Sequence, residues 1–72
     1  MVYNFFMNEI IKELRLEKGL KIKDVAEYLN VNLRTVYRYE EGTREPSISV
    51  LIKLCDLFDV PADYLIGRTD SY

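Results

Sequence analysis

IKDVAEYLNVNLRTVYRYEEG, residues 22–42, holds two apolar rhythms separated by three residues. Val25, Ala26 and Leu29 recur at helical intervals, which predicts a helix over about Ile22 to Leu29. Its start is poorly marked, because Lys21 stands where Ser, Thr or Asp would supply a capping oxygen. Asn30-Val31-Asn32 reads as a tight turn, and Asn32 is a credible N-cap for a further helix over about Leu33 to Glu41, closed by Gly42. Val36 and Tyr39 form the inward face of that helix. Leu33, Arg34, Tyr37 and Arg38 fall on its other side, at i, i+1, i+4 and i+5. Two short helices joined by a turn of about three residues, the second presenting long polar side chains, make a helix-turn-helix pattern. Many helix pairs share that outline.

Punctuation around this stretch predicts three more helices. One runs from about Asn8 to Lys18, with Ile10, Ile11 and Leu14 on its apolar side and Gly19 as its stop. Thr43-Arg44-Glu45-Pro46 is a loop. Ser47 then caps a helix that uses Ile48, Leu51, Leu54, Cys55 and Phe58 as its apolar positions. Val60-Pro61 breaks it, and a short helix from Ala62 to Ile66 ends at Gly67. No segment alternates with period two for long enough to be a strand. The expected class is all-α: a five-helix domain over residues 8–67, preceded by an N-terminal extension at 1–7 and followed by a tail at 68–72. The apolar run Val2-Tyr3-Asn4-Phe5-Phe6 either extends the first helix or packs along another subunit.

Seventy-two residues with a single cysteine and no histidine exclude several classes. A lone Cys55 cannot form a disulfide within the chain, and it reads as a small core hydrophobe. No nitrogen or sulfur cluster could hold zinc, so no metal or cofactor is expected. No glycine-rich phosphate loop or nucleophile motif is present, so an enzyme is not expected. No apolar run approaches the ~18 residues of a membrane span, and the N-terminus lacks the features of a secretory signal. The expected location is the cytoplasm. Formal net charge is −2, yet residues 31–46 hold three basic and three acidic residues, and residues 1–30 hold five of each. The acidic excess lies in residues 47–72, with two basic residues and four acids. The segment carrying Arg34 and Arg38 is therefore neutral.

The run Leu14-Arg15, Gly19-Leu20, Val25-Ala26, Leu29, Val31, Thr35-Val36, Arg38-Tyr39-Glu40, Gly42, Arg44, Pro46-Ser47, Leu51, Leu54, Val60 and Asp63-Tyr64-Leu65 resembles the phage-repressor and Cro-like helix-turn-helix family, also called XRE-type. The likeness spans about residues 8–67. It implies a compact, lambda-repressor-like, five-helix DNA-binding domain in a bacterial or phage transcription regulator, usually a dimer on a near-palindromic operator.

By that resemblance the third helix enters the major groove, and base contacts fall to Leu33, Arg34, Tyr37 and Arg38. Arginine can bond bidentately to guanine, and an apolar side chain can cover a thymine methyl. Leu33 is either such a contact or a staple on its own helix; Tyr37 touches phosphate or covers the helix. Lys21, Lys23, Asn32, Thr35, Thr43 and Arg44 are the candidate backbone contacts, with local capping as the other role for Asn32 and Thr35. Arg15 and Glu40 correspond to a structural salt bridge tying the first helix to the end of the third. Two places depart from the family's usual pattern: Lys21-Ile22, where a polar cap followed by glutamine is frequent, and Pro61, where serine is common. Ile22 cannot make a glutamine's hydrogen bond, so it packs inward, packs on a partner, or changes the contacts there.

The expected function is that of a sequence-specific double-stranded DNA-binding transcription regulator, a repressor acting as a homodimer. The alternative is a protein-interaction module on the same fold, an antitoxin or anti-repressor partner, in which DNA binding is secondary. No effector domain is expected to fit in this length.

Overall fold

In the computed structural model, residues 6–66 are described, and they form five helices in the order α1 (Met7–Glu17), α2 (Ile22–Leu29), α3 (Leu33–Glu41), α4 (Ile48–Phe58) and α5 (Ala62–Leu65). The predicted fold class is the observed one. α1 is shifted one residue toward the N-terminus relative to the expected span, so Met7 is helical and packs on the core. α5 stops at Leu65, with Ile66 closing it. Residues 1–5, Gly67 and the tail at 68–72 lie outside the described residues.

A single core gathers one stripe from each helix: Ile10, Ile11 and Leu14 from α1, Val25, Ala26 and Leu29 from α2, Val36 and Tyr39 from α3, Leu54 and Phe58 from α4, and Leu65 from α5. Val60, in the turn before α5, completes it. α3 packs against both α1 and α2, which fixes its inward face from two sides. No helix among the described residues is long and apolar enough to cross a membrane.

One expected core position does not belong there. Ile48 is 78% exposed, while Leu51 and Cys55 are only partly buried. At 3.6 residues per turn, six residues set Ile48 about 120° around the helix from Leu54. The buried stripe of α4 is instead Leu54 and Phe58, flanked by the partly buried Val50, Leu51 and Leu57. Cys55 sits at the border of that stripe, where burial first and the neighbouring Asp56 carboxylate second push its thiol pKa above the usual value. A thiol held protonated is a weak nucleophile.

Helix ends explain why such short elements persist. Four of them terminate in left-handed residues: Gly19 (φ 70°), Asn30 (φ 59°), Gly42 (φ 82°) and Asp59 (φ 56°). After α1, the Gly19 N–H donates to the Leu16 carbonyl and the Leu20 N–H to the Arg15 carbonyl, both at 3.0 Å, a Schellman pairing. The same long back-bond recurs from Val31 to Ala26, from Thr43 to Arg38 and from Val60 to Cys55.

Gly19 and Gly42 differ in a way that a substitution will reveal. A Cβ at Gly19 would meet nothing within 4 Å, whereas one at Gly42 would lie 3.2 Å from Cγ of Asn8. Gly19→Ala should therefore cost only the left-handed penalty of about 1–2 kcal/mol. Gly42→Ala should cost more, because Asn8 must also move, and its Nδ2 donates to the Glu40 carbonyl at 3.3 Å. Urea unfolding of the two variants side by side checks the order.

Candidate nucleic-acid interface

Capping defines where α2 and α3 begin, and hence which side chains stand at their ends. Lys21 offers no acceptor, and the start of α2 is instead held from inside: Oδ2 of Asp24 accepts the Lys21 N–H at 2.8 Å. This is the returning half of a capping box. Asn32 caps α3, its Oδ1 accepting both the backbone N–H and the hydroxyl of Thr35 at 2.9 Å. Thr35 is 9% exposed, so its hydroxyl is engaged in capping. Asn32 is exposed and has its Nδ2 amide left over as a donor.

On α3 the inward side, Thr35, Val36 and Tyr39, is buried, and the outward side, Leu33, Arg34, Tyr37 and Arg38, is exposed. Neither Arg34 nor Arg38 has an ion-pair partner among the described residues; Glu41 and Glu45 do not take Arg38. Both guanidiniums are thus available to an external anion.

The orientation of α3 depends on one side chain of α1. Arg15 Nε donates to Glu40 Oε2 at 2.7 Å, its Nη2 to Glu40 Oε1 at 3.2 Å and its Nη1 to the Leu20 carbonyl at 2.9 Å. The two side chains are 12% and 7% exposed. Such a paired fork fixes geometry as well as charge. It joins the end of α1, the end of α3 and the loop entering α2.

Lys21, Lys23, Leu33 and Tyr37 come together along one groove of about 570 Å³ between the α1–α2 loop and α3. Leu16, Leu20 and Ile22 also line it. Leu16 has no place in the expected site; its only signal in the sequence is an apolar residue off the spacing of Ile10, Ile11 and Leu14. Thr43 and Arg44 lie apart from this groove. The Thr43 hydroxyl donates to the Arg38 carbonyl at 3.4 Å, and Arg44 borders a smaller hollow of about 170 Å³ with Asn8, Tyr39 and Glu45.

A short helix held from beneath, its exposed arginines outward, preceded by a second helix across a three-residue turn, defines a helix-turn-helix domain. The helix-turn-helix family matches over residues 11–65, and the chain belongs to it, in the XRE-type branch of DNA-binding domains. It is 37% identical over 60 residues to the HTH-type transcriptional regulator ImmR of Bacillus subtilis, covering 83% of this chain and 47% of that protein. The chain thus spans about half the length of ImmR, and 22% and 18% of two putative HTH-type regulatory proteins of Methanococcus vannielii and Saccharolobus islandicus. Among solved structures, SinR, a master regulator for biofilm formation seen in complex with DNA, superposes with a TM-score of 0.75 at 30% identity, over 83% of this chain and 97% of that one. The P22 c2 repressor, seen with a synthetic operator, superposes at 0.85 with 20% identity over 92% of this chain and 100% of that one, a likeness of fold.

Proposed function

We propose that the chain is a transcription regulator that reads double-stranded DNA through α3, acting in the cytoplasm as a repressor that occludes a promoter. The observation that carries this reading is the outward face of α3: Arg34 and Arg38 are exposed and, among the described residues, unpaired above a buried inner face. Arg34, in the first turn, is set to contact base edges, with Leu33, Tyr37 and Arg38 beside it. Lys21, Lys23, the Asn32 amide and Arg44 are suited to phosphate. The DNA-bound relative SinR supports the same role.

Two copies on a near-palindromic operator would set their third helices about 34 Å apart, one turn of duplex. Ile48 and Ile52, one helical turn apart on α4 and exposed at 78% and 57%, together with the exposed Ile66, offer apolar surface for a two-fold contact. The same surface favours a second reading, a protein-interaction module on the same fold, an antitoxin or anti-repressor partner, in which a bound protein covers α4 and DNA binding is secondary.

Selection of bound duplexes from a random pool separates the two. A DNA reader enriches a defined site. On that site Arg34→Ala should lose about 1–3 kcal/mol of discrimination at one base pair. Arg44→Ala should weaken all duplexes alike and reduce the salt slope by about one. If the wild type binds every duplex equally poorly at low salt, the interaction module is the better account.

A further inference from the structure

The sequence ahead of α1 has no part in the face that α3 presents. Met1 to Phe6 carries no charged side chain, so it has no guanidinium or lysine ammonium for a phosphate, whereas Val2, Tyr3, Phe5 and Phe6 are large and mainly apolar. Phe6 is where this segment joins the fold. Its backbone is extended (φ −95°, ψ 133°), which turns the chain off the axis of α1, and it is 63% exposed. Phe6 shares the hollow of about 170 Å³ with Pro46, two residues before Ile48. Ile48 and Ile52 then stand bare on α4, at 78% and 57%.

We propose that residues 2–5 fold back past Pro46 as a strap over Ile48 and Ile52 of the same chain, so that the two-fold contact forms only when the strap is lifted. This rests on the two-copy reading above and adds its regulation. Reach, chemistry and proximity select the occupant. Four extended residues span about 13 Å. From Pro46 to Ile48 the backbone covers at most about 7 Å, and Ile52 lies about 6 Å further along α4. Leu16, Leu33 and Tyr37, also exposed, line the groove beside α3, and Leu16 is near the far end of α1 from Phe6. An apolar strap and an apolar face both leave water when they meet. Tethered at Phe6, the strap meets α4 at an effective concentration on the order of millimolar, far above that of a second copy in dilute solution.

The test compares the full chain with a variant lacking residues 2–5. Phe6 is kept, because its carbonyl accepts the Glu9 and Ile10 N–H groups that open α1. In the full chain, nuclear Overhauser contacts should join the Tyr3 and Phe5 rings to the Ile48 and Ile52 methyl groups. Mixing labelled with unlabelled copies should show that they arise within single copies. By sedimentation equilibrium the deletion should tighten dimerisation about tenfold, the effect of a strap closed in about two copies of three when both partners must open. Tyr3→Ser combined with Phe5→Ser, at unchanged length, should match the deletion. Absence of the ring–methyl contacts overturns the strap and leaves α4 to a second copy or a protein partner. Contacts only between differently labelled copies also overturn it, and make the segment part of the interface between copies. Contacts within one copy, with dimerisation unchanged or weakened by the deletion, overturn the regulatory role. If neither protein pairs at any concentration while those contacts are present, the two-copy reading fails and the regulation with it.

Discussion

Glu40→Ala is expected to lower the unfolding free energy by about 3–5 kcal/mol, the range for removing one member of a buried ion pair. The loss comes from what remains. Arg15 is 12% exposed and would keep its charge with one backbone acceptor, the Leu20 carbonyl, in place of a bidentate carboxylate. The Asn8 contact to the Glu40 carbonyl is a backbone tie and survives the substitution, so the measurement isolates the side chain. Replacing both partners, as in Arg15→Met with Glu40→Leu, should recover most of the loss, because no charge is then stranded. Denaturant unfolding of the two single variants and the double variant tests this. A single-variant loss below about 1 kcal/mol would mean that the pair behaves as an ordinary surface contact.

Phe58→Ala should cost a similar amount, about 3–5 kcal/mol, by emptying the largest fully buried site in the core. A domain of this size has a total stability of roughly 4–11 kcal/mol. The variant should therefore be close to unfolded at room temperature, with a sharply lower urea midpoint and an unchanged slope if it remains two-state. Phe58 is 1% exposed in a core cluster to which all five helices contribute, and α4 packs on α2 and α5, so a cavity there loosens more than α4. Ile48→Ala on the same helix is the control: at 78% exposure it leaves no cavity.

Glu40 and Phe58 differ in how legible their roles are in the sequence alone. Phe58 follows from spacing, since Leu51, Leu54 and Phe58 recur at i, i+3 and i+7. The turn between α2 and α3 is equally plain, because Asn32 and Gly42 carry their capping chemistry in their own side chain or lack of one. The pairing of Arg15 with Glu40 spans 25 residues, and no local pattern encodes it; only the family likeness suggests it. The beginning of α2 is obscure for a related reason. The group that fixes it, the Asp24 carboxylate, sits inside the helix and reaches back to Lys21. Ile48 misleads because the apolar-rich stretch Ile48 to Leu54, broken by Ser49 and Lys53, offers several stripes, and only packing chooses among them. Leu16 joins the groove unannounced, since an exposed leucine has no sequence signature until its neighbours are known.

The left-handed residues at Gly19, Asn30, Gly42 and Asp59 have a kinetic consequence. Each boundary is written into five or six consecutive residues, so the chain can find its corners before its distant parts meet. All-helical domains with such local wiring commonly fold in about microseconds to milliseconds. A copy that opens transiently would regain its shape far faster than synthesis could replace it.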